Sequence, residues 1–174
     1  MSVLISDKPT MPSIDRVLGV DVSFYQERFN SPLPDWVSFC ICRCTQGATK
    51  KDGRYAENMA FLQAARRVRG AYHLIECDEN PVEQADIFVN QARLQTGDLP
   101  PFLDLEGSKV DEVKPAQAHE STMRWLERAE KLDGRKPIIY TSLDTLGRFD
   151  GHNEGMERYP LWLVEYWNSE PIDR

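Results

Sequence analysis

Six short apolar runs, separated by longer amphipathic segments, constrain the fold of this chain more than any other feature. The runs are apolar almost throughout, and they occupy residues 17–23, 39–44, 69–75, 101–106, 137–141 and 160–166. Parallel strands have this pattern because helices cover both faces of their sheet. The alternation of strands with helical segments therefore predicts an α/β fold.

Helices are expected between these strands. One covers about 53–67, and another covers about 115–132. A third opens at Asn80-Pro81, where a capping residue precedes a first-turn proline. A short helix is expected after Thr141. A doubly wound sheet and a barrel both agree with this order of elements.

Length and composition suit one domain, residues 17–174, preceded by an N-terminal arm, residues 1–16. With 41% hydrophobic residues, the 174-residue chain can bury one sizeable core. The net charge of −7 argues against a broad basic surface, so no nucleic acid partner is expected. No membrane partner is expected either, since no run approaches the roughly 20 apolar residues that span a bilayer. The N-terminus lacks the pattern of a secretory signal, which predicts synthesis in the cytoplasm.

Three of the four cysteines lie in the second strand, at Cys40, Cys42 and Cys44. Alternate residues of a strand share a face at steps of roughly 7 Å, which is too far for neighbouring pairs to form disulfides. A metal cluster would need a tighter turn and other ligands. We therefore expect buried, reduced thiols, and neither a metal nor a cofactor.

Acidic residues stand where two of the predicted strands end. Asp21 ends the first strand, and Asp104 and Glu106 end the fourth. Chemistry gathers at the carboxyl ends of parallel strands in both candidate architectures. Asp104 and Glu106 share a face, and a barrel would bring Asp21 toward them. The first strand has no glycine-rich turn after it, which argues against a nucleotide site.

Three carboxylates among aromatic rings suit the cleavage of a glycosidic bond. One acid must stay protonated to donate to the leaving oxygen, and the others stabilise positive charge or orient a nucleophile. A Mg²⁺ site made from the same carboxylates is a competing interpretation. His73 and Trp125 are interpreted as core residues. Glu76, Asp78 and Glu79 are interpreted as a solvated loop.

Seven short motifs follow one another between Gly19 and Tyr166: GVDVSFYQ, CTQG, GAYHLI, QADIF, FLDLE, KPIIYTS and PLWLVEY. In this order they resemble the motifs of the family 25 glycoside hydrolases, the Chalaropsis-type lysozymes, which include many phage endolysins. The resemblance implies a modified TIM-like α/β barrel. It also implies an N-acetylmuramidase that cleaves the β-1,4 bond between N-acetylmuramic acid and N-acetylglucosamine in bacterial peptidoglycan, and so degrades the cell wall.

The resemblance also implies roles for particular residues. Glu106 matches the proton donor, and Asp104 and Asp21 match its supporting carboxylates. The aromatic positions around the substrate groove are matched by Tyr72, Tyr140, Trp162 and Tyr166. The nucleophile is either a carboxylate or the acetamido group of the substrate. Both routes agree with the sequence.

The chain departs from the family pattern in three places. Gln46 stands where the family commonly has Glu, and Arg43 where it commonly has Lys. Family members continue into two further strands, the last of which carries another active-site Asp, whereas this sequence stops at Arg174. We therefore expect a barrel that lacks its last strands. Its open edge would be covered by the arm, by a second copy or by another chain.

Two other functions agree with the same residues. The first is a non-catalytic glycan-binding or structural phage protein on the same barrel, which the short C-terminus favours. The second is a chitinase-like hydrolase, which also places acids on barrel strands. The presence of all three acids, Asp21, Asp104 and Glu106, favours the active muramidase.

Overall fold

A curled, mainly parallel sheet forms the centre of the computed structural model, which describes residues 17–29, 32–149 and 151–164. Its strands are β1 (Leu18–Val22), β2 (Val37–Gln46), β3 (Lys50–Lys51), β4 (Val68–Leu74), β5 (Phe102–Asp104), β6 (Ile138–Ser142) and β7 (Leu161–Val164). Six of them are hydrogen-bonded in the order β1-β2-β4-β5-β6-β7, and every neighbouring pair is parallel. These six are the strands that the apolar runs predicted. The short β3, which was not predicted, pairs antiparallel with the end of β2.

Helices follow most of the strands, as the amphipathic segments predicted. They are α1 (Tyr55–Ala64), α2 (Pro81–Ala92), α3 (Ser108–Asp111), α4 (Pro115–Asp133) and α5 (Leu143–Gly147), with a 3-10 turn at Met156–Arg158. The short α3 was not predicted. The expected start of α2 is confirmed, because the Asn80 side chain accepts hydrogen bonds from the backbone N–H groups of Val82 and Glu83.

The sheet is strongly curled, and a ring contact across it shows how strongly. Strands β2 and β7 are four places apart in the sheet, so a flat sheet would separate them by about 19 Å. The ring centroids of Phe39 on β2 and Trp162 on β7 nevertheless lie 6.1 Å apart. Trp162 also contacts the rings of Phe102 and Tyr140, each with centroids 5.8 Å away. Aromatic side chains thus fill the concave face.

Gly19 is required by this tight interior. A Cβ atom added to Gly19 would lie 2.3 Å from the ring of Phe39, its neighbour across the β1–β2 pair. The Phe39 ring is itself packed against Trp162, so this ring has little room to move away from an added Cβ atom. The glycine in the first motif of the chain therefore serves the packing of the half-barrel.

The convex face of the sheet is covered by α1, α2 and α4. Cys40, Cys42 and Cys44 are buried in the hydrophobic core and form no disulfide, as predicted. Helices α2 and α4 pack against each other, and Trp125 of α4 is fully buried. The Trp125 ring stacks on His73 of β4 with centroids 5.4 Å apart. The interpretation of His73 and Trp125 as core residues is confirmed.

The described strands form a half-barrel rather than a closed barrel. Within residues 17–29, 32–149 and 151–164, no ladder joins β1 to β7. The predicted arm, residues 1–16, and the positions after Val164 lie outside the described residues. None of the helices in the described part of the chain is long and apolar enough to cross a membrane.

Candidate active site

A pocket at the carboxyl end of the sheet brings together five of the seven predicted site residues. It is lined by Asp21, Ile41, Tyr72, Phe102, Asp104, Tyr140 and Trp162. Asp21 comes from the first strand of the half-barrel and Trp162 from the last. Because these strands are the two ends of the sheet order, only the curl of the sheet brings them into one pocket.

The register of three adjacent strands fixes the position of Asp104. Asp104 of β5 is paired with Tyr140 of β6, and Tyr140 is paired with Trp162 of β7. The backbone on both sides holds this register. The Asp104 carbonyl accepts a hydrogen bond from the Ile75 N–H at 3.2 Å, and the Leu105 N–H donates to the Tyr140 carbonyl at 2.9 Å.

Glu106 follows β5 and stands two residues beyond Asp104. The Thr141 hydroxyl donates a 2.8 Å hydrogen bond to the Leu105 carbonyl, which continues the contact between the two chain segments past the end of the strand. Gly107 then turns the chain with φ 92°, a conformation that side chains disfavour. Glu106 is half-buried. Tyr166, the seventh predicted residue, lies outside the described residues.

Asp104 is the most strongly perturbed acid of the pocket. Burial first, and then the charges of Glu106 and Asp21, raise the pKa of the Asp104 carboxyl to about 7, although the Arg43 guanidinium opposes this shift. Its Oδ1 atom is buried and has no hydrogen-bond partner among the described residues. Partial desolvation of the carboxyl group also raises the pKa of Asp21, although the residue as a whole is exposed. The pocket therefore favours a protonated carboxyl group near neutral pH.

Tyr72 provides a neutral hydroxyl in the same pocket. Burial raises the pKa of the Tyr72 phenol well above its ordinary value, and the charges of Asp104 and Asp21 act in the same direction. The phenol therefore keeps its proton and remains able to donate a hydrogen bond. Tyr and Trp rings such as these pack well against the apolar faces of sugars.

A buried ion pair next to the pocket was not predicted. Arg43 of β2 contacts Asp52 with an Nε–Oδ2 distance of 3.3 Å, and both side chains are almost fully buried. Arg43 is the register partner of Tyr72, so its guanidinium lies on the pocket side of the sheet. Its position inside the apolar run FCICRC was the available signal, since a strand interior accepts an arginine only with a partner.

The interpretation of Glu76 as part of a solvated loop is wrong. Glu76 is 8% exposed, and its carboxylate accepts a 2.6 Å hydrogen bond from the Gln46 side chain. The backbone of Glu76 is bound on both sides by Gln84, which accepts from its N–H and donates to its carbonyl. Sequence separation hid this contact, because Gln46 lies 30 residues away from Glu76.

No group of three or more His, Cys, Asp and Glu side chains in the described part of the chain has the arrangement of a metal site. The acidic pocket instead combines two aspartates with four aromatic residues on the concave face. This combination of a half-barrel with acids and rings at the carboxyl ends of its strands defines a class of protein, the barrel enzymes.

A comparison with protein families identifies the family within that class. The model for glycosyl hydrolases family 25 matches residues 20–173. The chain therefore belongs to glycosyl hydrolase family 25, as the seven motifs predicted. It is also similar to the uncharacterized protein YegX of Escherichia coli K12, with 26% identity over 178 residues. That match covers 92% of this chain but only 60% of YegX.

Solved structures share the fold. The bacterial lysozyme from Streptomyces coelicolor has a TM-score of 0.78 and 25% identity, and the match covers 89% of this chain and 76% of the lysozyme. A family 25 lysozyme from Aspergillus fumigatus has a TM-score of 0.79 and 24% identity, with coverages of 90% and 79%. The catalytic domain of the endolysin ply40 from bacteriophage P40 has a TM-score of 0.70 and 20% identity, with coverages of 92% and 80%. The expected α/β half-barrel is thereby confirmed.

Proposed function

We propose that this protein is a peptidoglycan hydrolase, an N-acetylmuramidase that cleaves the β-1,4 bond between N-acetylmuramic acid and N-acetylglucosamine. The observation that carries the proposal is the pocket in which Asp21 and Asp104 meet four aromatic side chains. Membership of the family and the fold shared with a bacterial lysozyme support it. The substrate places its site of action at the bacterial cell wall, as for an endolysin.

The roles of the acids follow from what glycoside cleavage requires. One carboxyl group donates a proton to the leaving oxygen, and a second, ionised group stabilises positive charge or assists the nucleophile. We assign the proton donor to Glu106 and the supporting roles to Asp104 and Asp21. The mutual repulsion of Glu106 and Asp104 favours the state in which the pair holds one proton.

Tyr72, Tyr140 and Trp162 are proposed to hold the sugar. Their rings line the pocket together with the two aspartates, and the Tyr72 phenol supplies a hydrogen-bond donor. Tyr166 is proposed for the same groove from its place in the PLWLVEY motif.

The free edges of the half-barrel are proposed to be covered by a further segment of chain or by a second copy. Strands β1 and β7 each have one edge without a ladder among the described residues. Light scattering after size exclusion would separate the two alternatives, since only the second gives a dimer.

The proposal is tested by clearing of bacterial wall suspensions, with chitin as a parallel substrate. The protein should clear the walls and leave chitin intact. The Glu106→Gln variant should bind the walls without clearing them, since Gln keeps the shape of the side chain but has no acidic proton. Loss of general acid catalysis commonly costs about 10²–10⁴-fold. Cleavage of chitin alone would favour the chitinase-like alternative, and binding without clearing by the wild type would favour the glycan-binding alternative.

A further inference from the structure

Two adjacent aromatic rings stand exposed beside the pocket, and the proposed chemistry does not use them. Tyr25 is 76% exposed and Phe24 is 44% exposed. Among the described residues these are the only aromatic side chains in the set of exposed large apolar residues. Their ring centroids lie 4.1 Å apart at an interplanar angle of 35°. Isolated exposed apolar residues are common on protein surfaces, but a contiguous aromatic pair marks a binding surface more often.

The segment that carries the two rings is anchored to the sheet. The Phe24 N–H donates to Asp52 Oδ2 at 2.8 Å, and the same oxygen accepts from Arg43 Nε at 3.3 Å. The Ser23 N–H donates to the Gln26 side chain at 2.7 Å, which closes the turn. The segment that carries the rings is therefore ordered before any ligand binds. Binding does not have to include the loss of conformational entropy that ordering this segment would require.

Arg43 supports the rings from below. Its guanidinium carbon lies 4.6 Å from the centroid of the Phe24 ring and 5.2 Å from that of Tyr25. One side of the pair is thus covered by a buried cation, which is itself fixed by Asp52. The other side faces solvent and is available to a ligand.

The position of the pair is next to the acidic pocket. Phe24 and Tyr25 follow β1, whose Asp21 lines the pocket. Arg43, beneath the rings, is the register partner of Tyr72, which also lines the pocket. The pair therefore extends the wall of the pocket over the rim on the β1–β2 side. A polysaccharide longer than the pocket would extend past the rim. On the β1–β2 side it would meet the exposed faces of the Phe24 and Tyr25 rings.

We propose that Phe24 and Tyr25 form a platform on which a pyranose ring of the glycan strand stacks, outside the pocket in which the bond is cleaved. This inference rests on the proposed function. The apolar C–H face of a pyranose complements an exposed aromatic ring, and both lose water when they meet. The platform adds affinity for long glycans without touching the reacting atoms.

The test measures binding to insoluble peptidoglycan by co-sedimentation, with Glu106→Gln as the parent so that the ligand is not consumed. Adding Tyr25→Ala should weaken binding about five- to tenfold, the usual effect of one stacked aromatic ring. Tyr25→Phe should bind as the parent does, because the ring and not the hydroxyl makes the contact. Leu132→Ala is the matched control, since Leu132 is an exposed apolar residue of α4, which packs on the convex side of the sheet. It should leave binding unchanged.

Unchanged binding by Tyr25→Ala, or equal loss in Tyr25→Phe and Tyr25→Ala, would overturn the platform. Thermal unfolding of the same samples should give equal midpoints for all variants, which separates lost stacking from lost folding. Failure of the proposed muramidase function can be distinguished from failure of the platform. If the wild type does not clear walls but binding still depends on the Tyr25 ring, the enzyme activity is refuted and the platform stands. If walls are cleared while Tyr25→Ala binds normally, only the platform is refuted.

Discussion

Two titratable residues on adjacent strands, the buried His73 of β4 and the half-buried Asp104 of β5, differ in their surroundings. Burial lowers the pKa of His73 to about 4 and raises that of Asp104 to about 7, so burial shifts each group toward its neutral form. His73 faces the convex side, where α2 and α4 cover it, whereas Asp104 faces the concave pocket. The difference between them lies in their hydrogen bonds.

Both ring nitrogens of His73 have partners. Its Nε2 lies 2.9 Å from Gln84 Oε1 and its Nδ1 lies 2.8 Å from the Thr45 hydroxyl. The Gln84 amide is oriented by the backbone of Glu76, so its oxygen accepts and His73 Nε2 must carry the proton. Thr45 then donates to Nδ1. A neutral imidazole satisfied on both sides serves stability.

The carboxyl group of Asp104 is not satisfied in this way. Its buried Oδ1 has no partner in the described part of the chain, and two other acids act on it. An unsatisfied buried polar atom costs about 1–3 kcal/mol. Burial alone therefore does not mark a functional residue. Asp104 differs from His73 because it combines an unpartnered buried oxygen with two neighbouring acids in a pocket.

The largest expected effect concerns catalysis. Asp104 is partly ionised near pH 7, and its ionised form is the one that supports the developing positive sugar carbon. Asp104→Asn cannot ionise, so it should lower the rate of wall clearing about 10²–10⁴-fold. The measurement is the initial rate of wall clearing by equal amounts of folded protein.

His73→Leu is the matched control for Asp104→Asn, with the rate corrected for its folded fraction. It should clear walls at nearly the wild-type rate. An equal loss of rate in the two variants would contradict the assignment of a catalytic role to Asp104 and a structural role to His73.

The second effect concerns stability. His73→Leu should lower the free energy of unfolding by about 2–4 kcal/mol, because the buried Thr45 hydroxyl loses its acceptor and the stack on Trp125 is lost. Urea titration gives the value. Thr45→Val combined with His73→Leu should recover part of the loss, since removing both polar partners leaves nothing unsatisfied. A double variant no more stable than His73→Leu would show that the hydrogen bond is not the cause.

The third effect is a pH dependence with opposite signs at the two residues. The folded-state pKa of Asp104 is raised from 3.8 to about 7, so the stability associated with its protonated form is lost as pH rises through that interval. The folded-state pKa of His73 is lowered from 6.5 to about 4, so its contribution is lost as pH falls through that interval.

The Asp104→Asn variant isolates the first of these contributions. It should be more stable than the wild type at pH 8 and equally stable at pH 4, where both carry a neutral group at position 104. Thermal unfolding midpoints across this range provide the measurement. A stability difference that does not change with pH would mean that Asp104 does not titrate as described.

The smallest effect is on the titration of Asp104 itself. Glu106→Gln and Asp21→Asn each remove a negative charge, so each should lower the pKa of Asp104, with the larger shift from Glu106→Gln. Carbon-13 NMR of labelled aspartate carboxyl groups would follow this titration. Lys109→Gln removes a charge that does not contribute to the pKa shift of Asp104, so this variant should leave the titration unchanged. If neither acidic variant shifts Asp104, the three acids are not coupled.

The sequence by itself determined the elements and their order. Six apolar runs, each short and nearly continuous, indicated six parallel strands, and all six are present. The cap at Asn80 set the start of α2. The positions of Asp21 and Asp104 at strand ends were also readable, because strand boundaries and side-chain alternation are local properties of the chain.

Tertiary structure decided what depends on contacts between distant residues. The curl that brings Trp162 to Phe39 is set by packing across the sheet, which no local pattern encodes. The pairing of Arg43 with Asp52 and the burial of Glu76 beneath Gln46 likewise need the folded chain. The energy of a buried charge depends on what surrounds it, and those neighbours are chosen by the fold rather than by the adjacent sequence.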